Sequence, residues 1–174
     1  MNDLKQQLLV LDGTSTAFLK QLSFRFGSED AFATKLVSFL TEPALQNGAS
    51  WLLKDYLERD GTLDRATDGA FMQQLATLKH WSAQLHALQC VPYLEIAAAD
   101  KHLLESFLKK CISSENKFVR AWAYNGFYAL SCQHAEYQDM VRPMLQKGLE
   151  SEAASVKARI RAIMKTEKRR TSKR

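Results

Sequence analysis

A short segment of this sequence recurs at nearly constant spacing in its carboxy-terminal half. Residues 119–121 read Val-Arg-Ala, and 37 residues later residues 156–158 read Val-Lys-Ala. The stretch 83–94 aligns with 119–130 at an offset of 36, and a weaker copy lies at 49–58. Periods of this length are typical of proteins built from repeated supersecondary units. The sequence therefore predicts an array of similar units.

In each copy the apolar residues fall on one face of a helix. The last copy places Val156, Ile160, Ile163 and Met164 at i, i+4, i+7 and i+8. A further amphipathic segment precedes each second helix, and these segments lie at about 29–41, 69–78, 100–113 and 136–149. We therefore predict about four helix pairs, which occupy residues 28–61, 62–97, 98–133 and 134–164.

Composition favours the same all-α fold. The 174 residues include only seven Gly and three Pro, so few residues interrupt helices. A chain of this length can bury one core, and we predict a single helical domain over residues 1–164. Residues 1–27 are expected to form one or two capping helices, because an end repeat has no neighbour to cover its apolar face. The candidate helix ends are Gly27, Gly48 or Gly61, and Gly148, although Gly48 and Gly148 also fit inside a helix.

The second helices resemble those of HEAT-like repeat proteins. Such a helix opens with an acidic or amide residue, two spacers, Val-Arg, and then alanines. Residues 116–123, Asn-Lys-Phe-Val-Arg-Ala-Trp-Ala, are similar to this pattern; the last copy has Lys157 for Arg and Ala153 for the acid or amide. The match covers about 80–165. The resemblance implies a right-handed α-α superhelix, an armadillo-type fold, whose second helices line a concave groove and whose role is that of a scaffold.

The positive charge is concentrated at the carboxy terminus. The net charge is +5, and residues 165–174 carry six Lys or Arg against one Glu, so residues 1–164 are neutral overall. No apolar residue follows Met164, and we predict a flexible basic tail over 165–174. This tail either solubilises the chain or makes a weak contact with nucleic acid or anionic lipid.

No sequence pattern is typical of an enzyme. There is no nucleotide-binding glycine loop, nucleophile elbow or paired carboxylate, so we expect no catalysis and no cofactor. Cys90, Cys111 and Cys132 lie in apolar helical contexts and are expected to be reduced thiols. Metal binding by His86 and Cys90, one helical turn apart, is the alternative, but no CxxC or HExxH motif supplies further ligands. No long apolar run or secretory signal is present, so we expect a cytoplasmic location and no membrane association.

The repeat register selects a stripe of candidate binding residues. Arg120, Tyr124 and Tyr128 are four residues apart and lie beside the apolar face of their helix, and adding 37 gives Lys157 and Arg161. Tyr beside Arg offers a stacking surface and hydrogen-bond donors for an acidic group. The resemblance to HEAT-like repeats implies a second interpretation of Arg120, because in such stacks this arginine commonly pairs with an acidic residue of the adjacent repeat.

The same register extends toward the amino terminus. It gives Gln84 and then Ser50 as the positions that correspond to Arg120. Trp51, Trp81 and Trp122 are expected in the core, because large aromatic side chains dominate burial energetics.

Three functions fit these patterns. The first is a protein–protein interaction scaffold that binds an acidic peptide or a protein helix. The second is nucleic-acid binding through the basic carboxy-terminal end, as in helical-repeat DNA glycosylases that resemble HEAT stacks; the neutral residues 1–164 disfavour it. The third is a structural module whose groove is filled by its own tail or by a second copy.

Overall fold

The computed structural model describes residues 3–10 and 15–171. This part of the chain is helical throughout, with loops and short 3-10 turns between the helices, as the composition predicted. The ten α-helices of the described residues are α1 (Asp3–Leu9), α2 (Thr16–Phe26), α3 (Phe32–Phe39), α4 (Gln46–Glu58), α5 (Arg65–Gln74), α6 (Trp81–Cys90), α7 (Lys101–Ile112), α8 (Lys117–Gln133), α9 (Gln138–Ser151) and α10 (Ala154–Thr171).

The chain divides into two compact units, Met1–Leu103 and Leu104–Arg174, and the boundary falls within α7. In the first unit α4 is central, because it packs against α2, α3 and α6. Its side chains Leu52 and Leu53 are fully buried, and α3 also packs against α5. Within the described residues, no helix combines the length and the apolar character that crossing a bilayer requires.

The second unit is built around α8, which packs against both α9 and α10. Val119 and Ala123 of α8 and Val156 and Ile160 of α10 are completely buried. The apolar face predicted from the 37-residue repeat is therefore confirmed for both helices. Ala83 of α6, the corresponding residue in the first unit, is also completely buried.

A side chain near the start of the second helix repeatedly donates a hydrogen bond to a carbonyl oxygen six residues earlier. These carbonyls lie at or just beyond the end of the first helix, where no helical N–H remains to satisfy them. Each bond therefore ties the second helix of a pair to the end of the first. The donors and acceptors are Gln46 and Leu40 at 3.0 Å, Gln84 and Leu78 at 3.1 Å, and Arg120 and Ser114 at 2.8 Å.

This hydrogen bond corrects the predicted register of the first repeat. Gln46, rather than Ser50, occupies the position equivalent to Gln84 and Arg120. The predicted equivalent residue therefore lies one helical turn too late in the sequence. The copy at 49–58 shares only the apolar periodicity of the later copies. Because a shift of four residues keeps the same apolar helix face, this periodicity does not fix the register.

Helix α10 extends beyond its predicted end. Residues 165–171 are helical, whereas the sequence predicts a flexible tail from 165; residues 172–174 lie outside the described residues. Lys and Arg are good helix formers and are favourable near the negative end of the helix dipole. In this segment Oε1 of Glu167 lies 3.7 Å from Nε of Arg142 on α9.

Two aspartates at the start of α5 have opposite environments. The carboxylate of Asp64 accepts a hydrogen bond from the backbone N–H of Thr67 at 2.7 Å, which lowers the pKa of Asp64. Asp68 is only 5% exposed; its Oδ2 accepts from the N–H of Glu95 at 3.2 Å, whereas Oδ1 has no hydrogen-bond partner. Burial raises the pKa of Asp68 to about 6, and the charges of Glu95 and Asp64 contribute to the shift.

We expect Asp68→Asn to raise the free energy of unfolding at pH 8 by about 1–2 kcal/mol, because it removes a buried charge that is incompletely hydrogen-bonded. The folded wild type holds the Asp68 proton more tightly than an unfolded chain, whose pKa is near 3.8. Protonation thus favours the folded state fully below about pH 4, and this contribution is lost as the pH rises through about 6.

Urea unfolding followed by circular dichroism at about pH 4.5 and pH 8 measures this difference. The gain from Asp68→Asn should be clear at pH 8 and much smaller at pH 4.5. Asp64→Asn is the matched control, because it removes an exposed carboxylate at the same helix start, keeps a capping side chain and should not raise stability at pH 8. An equal gain at both pH values would show that the charge of Asp68 is not the cause.

Candidate functional site

Arg120, the first predicted binding residue, is engaged inside the second unit. Its Nε lies 3.2 and 3.1 Å from the two carboxylate oxygens of Glu152, and Nη1 donates to the carbonyl oxygens of Ser114 and Glu115. The side chains of Arg120 and Glu152 are only 22% and 14% exposed. Arg120 therefore makes the ion pair that its second interpretation predicts, with an acid that follows α9.

Tyr124 joins the same cluster. Its side chain is 6% exposed, and its hydroxyl is hydrogen-bonded to Glu152. Burial raises the pKa of Tyr124, and the negative charge of Glu152 adds to this effect. The structure thus brings Arg120 and Tyr124 together on one carboxylate, where neither offers a free surface to a ligand.

The other three predicted residues lie apart from this cluster. Tyr128 is half-buried in a cavity of about 150 Å³ that is also lined by Cys132 and Arg170. Burial, followed by a hydrogen bond with Cys132, raises the pKa of Tyr128 to about 12. Lys157 donates to the carbonyl oxygen of Glu150 at 3.0 Å, and Arg161 is exposed. The predicted stripe is therefore divided among separate environments.

The first unit carries a more open candidate site. A groove of about 450 Å³ lies where the amino-terminal ends of α2, α4 and α6 meet. We call it the tryptophan groove, and its lining residues are Thr16, Leu19, Asn47, Gly48, Trp51, His80, Trp81, Ser82, Leu85 and His86.

The indole rings of Trp81 and Trp51 line the groove. Trp81 is 54% exposed, so its predicted place in the core is wrong. It is the first residue of α6 and points about 200° around the helix from the buried Ala83. Trp51 is half-buried, and the ammonium group of Lys54 lies 5.5 Å from the centre of its ring. The groove thus presents a wide aromatic surface to solvent.

Hydrogen bonds between α4 and α6 hold the polar part of the groove. Ser82 Oγ donates to Oδ1 of Asn47 at 2.7 Å, and Ser50 Oγ lies 3.1 Å from Nδ1 of His86. Burial, assisted by the positive charge of Lys54, lowers the pKa of His86 to about 4. The imidazole of His86 is therefore neutral at pH 7 and suited to hydrogen bonding.

The chain has no significant match among protein-family models, curated proteins or solved structures. The site must therefore be interpreted from its own chemistry. Within the described residues, no three or more His, Cys, Asp or Glu side chains lie close enough together to hold a metal ion.

The thiols lie outside the tryptophan groove lining. Cys90 and Cys111 are buried and unpaired, as the sequence predicts, and Cys132 is half-buried. Burial raises the pKa of Cys90, and it raises that of Cys111 to about 12, so both remain protonated at neutral pH. The lining of the groove thus consists of aromatic, aliphatic and polar side chains, without a thiol.

Sequence reasoning missed the tryptophan groove for an identifiable reason. Residue type alone predicts Trp81 in the core, although its position two residues before Ala83 places it on another face of α6. Helical phase was therefore the available signal. Nothing in the sequence indicates that Trp51, which belongs to a different helix, borders the same groove.

Proposed function

We propose that this chain is a HEAT-like interaction module that binds an acidic segment of a partner protein in the tryptophan groove and has no catalytic activity of its own. The observation that carries the proposal is the exposure of Trp81, 54%, beside a second indole in a groove of about 450 Å³. Large aromatic side chains in pockets supply most of the binding energy at protein interfaces.

The chemistry of the groove favours an acidic and partly apolar ligand. None of its lining residues is acidic, and the exposed Lys79 stands next to His80 at its edge. The starts of three helices meet there, and helix starts favour negative charge. Trp81 and Leu85 offer apolar contacts, whereas Asn47 and Ser82 are suited to hydrogen bonds with an extended backbone.

The repeat architecture that we propose, a right-handed α-α superhelix, is supported by bonds between residues about one repeat apart. In the first unit Asn47 and Ser82 are 35 residues apart, and Ser50 and His86 are 36 apart. In the second unit Arg120 and Glu152 are 32 residues apart, and Tyr137 donates to Glu105 over the same separation at 2.8 Å. Such regular coupling is expected where each helix pair contacts its next neighbour.

A peptide selection tests the proposed function. Random peptides displayed on phage are selected on the full chain, and the best binders are measured by fluorescence anisotropy. We expect acidic residues next to apolar ones, and at least a roughly tenfold loss of affinity in Trp81→Ala, because an aromatic anchor contributes about 2 kcal/mol or more.

Phe118→Ala is the matched control. Phe118 is 51% exposed, close to the exposure of Trp81, but it lies on α8 in the second unit. Affinity in this variant should stay within about twofold of wild type. If both variants bind equally well, or if the selected peptides are basic, the proposed site or its ligand class is wrong.

A further inference from the structure

The two units differ sharply in charge. Residues 1–103 contain 9 Lys and Arg against 12 Asp and Glu, whereas residues 104–174 contain 15 against 7. The first unit is therefore slightly acidic, and the second carries a net charge of +8. Residues 165–174 supply five of these eight charges, and residues 104–164 supply the other three.

The exposed face of α10 carries the densest part of this charge. We define the basic ridge as Arg161, Lys165, Lys168 and Arg169, all of which are exposed. At 100° per residue these four lie within about 100° of one another, roughly opposite the buried Val156, Ile160 and Ile163.

Helix α10 itself carries little negative charge. Glu167 is the single acidic residue of α10, and it lies on the buried side, where it approaches Arg142. Arg161, Lys165 and Arg169 follow one another at i, i+4 spacing, which places like charges next to each other and weakens the helix. Within the described residues these three make no ion pair.

The first unit differs in how many of its cations form ion pairs. More than half of its nine Lys and Arg form ion pairs on its surface. These pairs contrast with Arg161, Lys165 and Arg169 of the basic ridge, which make no ion pair within the described residues. The paired residues are Lys5, Arg25, Lys35, Lys54 and Arg59.

We infer that the basic ridge binds the phosphate backbone of double-stranded nucleic acid. A row of cations on one helix face matches regularly spaced phosphates, and an α-helix fits the major groove of B-form DNA. Ala158 and Ala162 are exposed on the ridge side of α10 and permit close approach. This face has no exposed aromatic residue on which single-stranded bases could stack, and no large apolar residue to insert into a membrane.

Fluorescence anisotropy with labelled DNA and RNA duplexes, recorded between about 50 and 200 mM salt, tests the inference. The wild type should bind at least one duplex at low salt, with a slope of log affinity against log salt of about −3 to −4 for four phosphate contacts. The triple variant Arg161→Gln, Lys165→Gln and Arg169→Gln should lose at least about tenfold in affinity, and its slope should fall by about 2–3.

A second triple variant controls for net charge. Lys110→Gln, Lys117→Gln and Lys147→Gln remove the same number of charges from three other exposed positions of the second unit. This variant should bind within about threefold of wild type. An equal loss in both triple variants, or no duplex binding by the wild type at about 50 mM salt, would overturn the inference.

Vesicles that contain phosphatidylserine provide the third measurement. Binding to these vesicles without binding to a duplex would assign the ridge to membranes and refute the nucleic-acid inference. The inference stands apart from the tryptophan groove, so Trp81→Ala should retain duplex binding and the ridge variant should retain binding of the selected peptides.

Discussion

Replacing Arg120 by Ala is expected to lower the free energy of unfolding by about 2–4 kcal/mol. The substitution removes both hydrogen bonds to Glu152 and two donors to backbone carbonyls. It also leaves the Glu152 carboxylate, which is 14% exposed, with a buried charge whose remaining side-chain hydrogen bond, among the residues that the structure describes, is that with the Tyr124 hydroxyl. Breaking one side of a buried ion pair has a large effect for this reason.

Urea unfolding at neutral pH measures this effect, and Arg161→Ala is the control. Arg161 lies on α10, which like α8 is the second helix of its pair, but its side chain is exposed. Its removal should change the free energy of unfolding by less than about 0.5 kcal/mol. Arg120→Ala combined with Glu152→Gln should recover part of the loss, since no buried carboxylate remains unpaired. A stability of Arg120→Ala equal to wild type would mean that this contact contributes nothing to the fold.

Replacing Gly148 by Val is expected to destabilise the protein by about 3 kcal/mol. Gly148 lies inside α9 and is buried, so it is not the helix end that the sequence also allowed. A Cβ atom there would come within 2.6 Å of Cδ1 of Ile160 and within 2.8 Å of the Tyr124 hydroxyl oxygen. Valine adds two further methyl groups to this overpacked position, and Tyr124 cannot retreat without disturbing its bond to Glu152.

Gly69→Ala is the contrasting variant. Gly69 lies inside α5, but a Cβ atom there would meet only Oδ2 of Asp100, at 3.4 Å. Alanine is the better helix former by about 0.5–1 kcal/mol, so this variant should be slightly more stable than wild type. Thermal and urea unfolding compare the two. Gly148→Val as stable as wild type would contradict the close approach of α8, α9 and α10.

Much of the local structure followed from sequence because helix formation depends on nearby residues. The spacing of Val119, Ala123 and Phe127 predicts the buried face of α8, and Asn116 caps that helix by accepting from the N–H of Phe118 at 2.9 Å. The repeat of this spacing at Val156 likewise predicts the buried face of α10.

The contacts that define the sites cannot be predicted from the sequence, because they join residues that lie far apart along the chain. The sequence does not indicate Glu152 as the partner of Arg120, since Ala153 stands where an acid or amide would be expected in the last copy. Trp81 was misplaced because hydrophobicity alone does not give the direction of a side chain at a helix start. The helical continuation of α10 brings Glu167 within 3.7 Å of Arg142 on α9, a contact that the sequence does not indicate.

The proposed binding mode can be tested directly by nuclear magnetic resonance. The chain has three Trp residues, so its spectrum contains three indole N–H signals that single substitutions can assign. Trp51 and Trp81 line the tryptophan groove, whereas Trp122 lies in the second unit beneath the guanidinium group of Arg159, 4.1 Å from its ring centre. On titration with a selected acidic peptide, the signals of Trp51 and Trp81 should shift together and that of Trp122 should stay in place. A shift of Trp122 alone would contradict the proposed site.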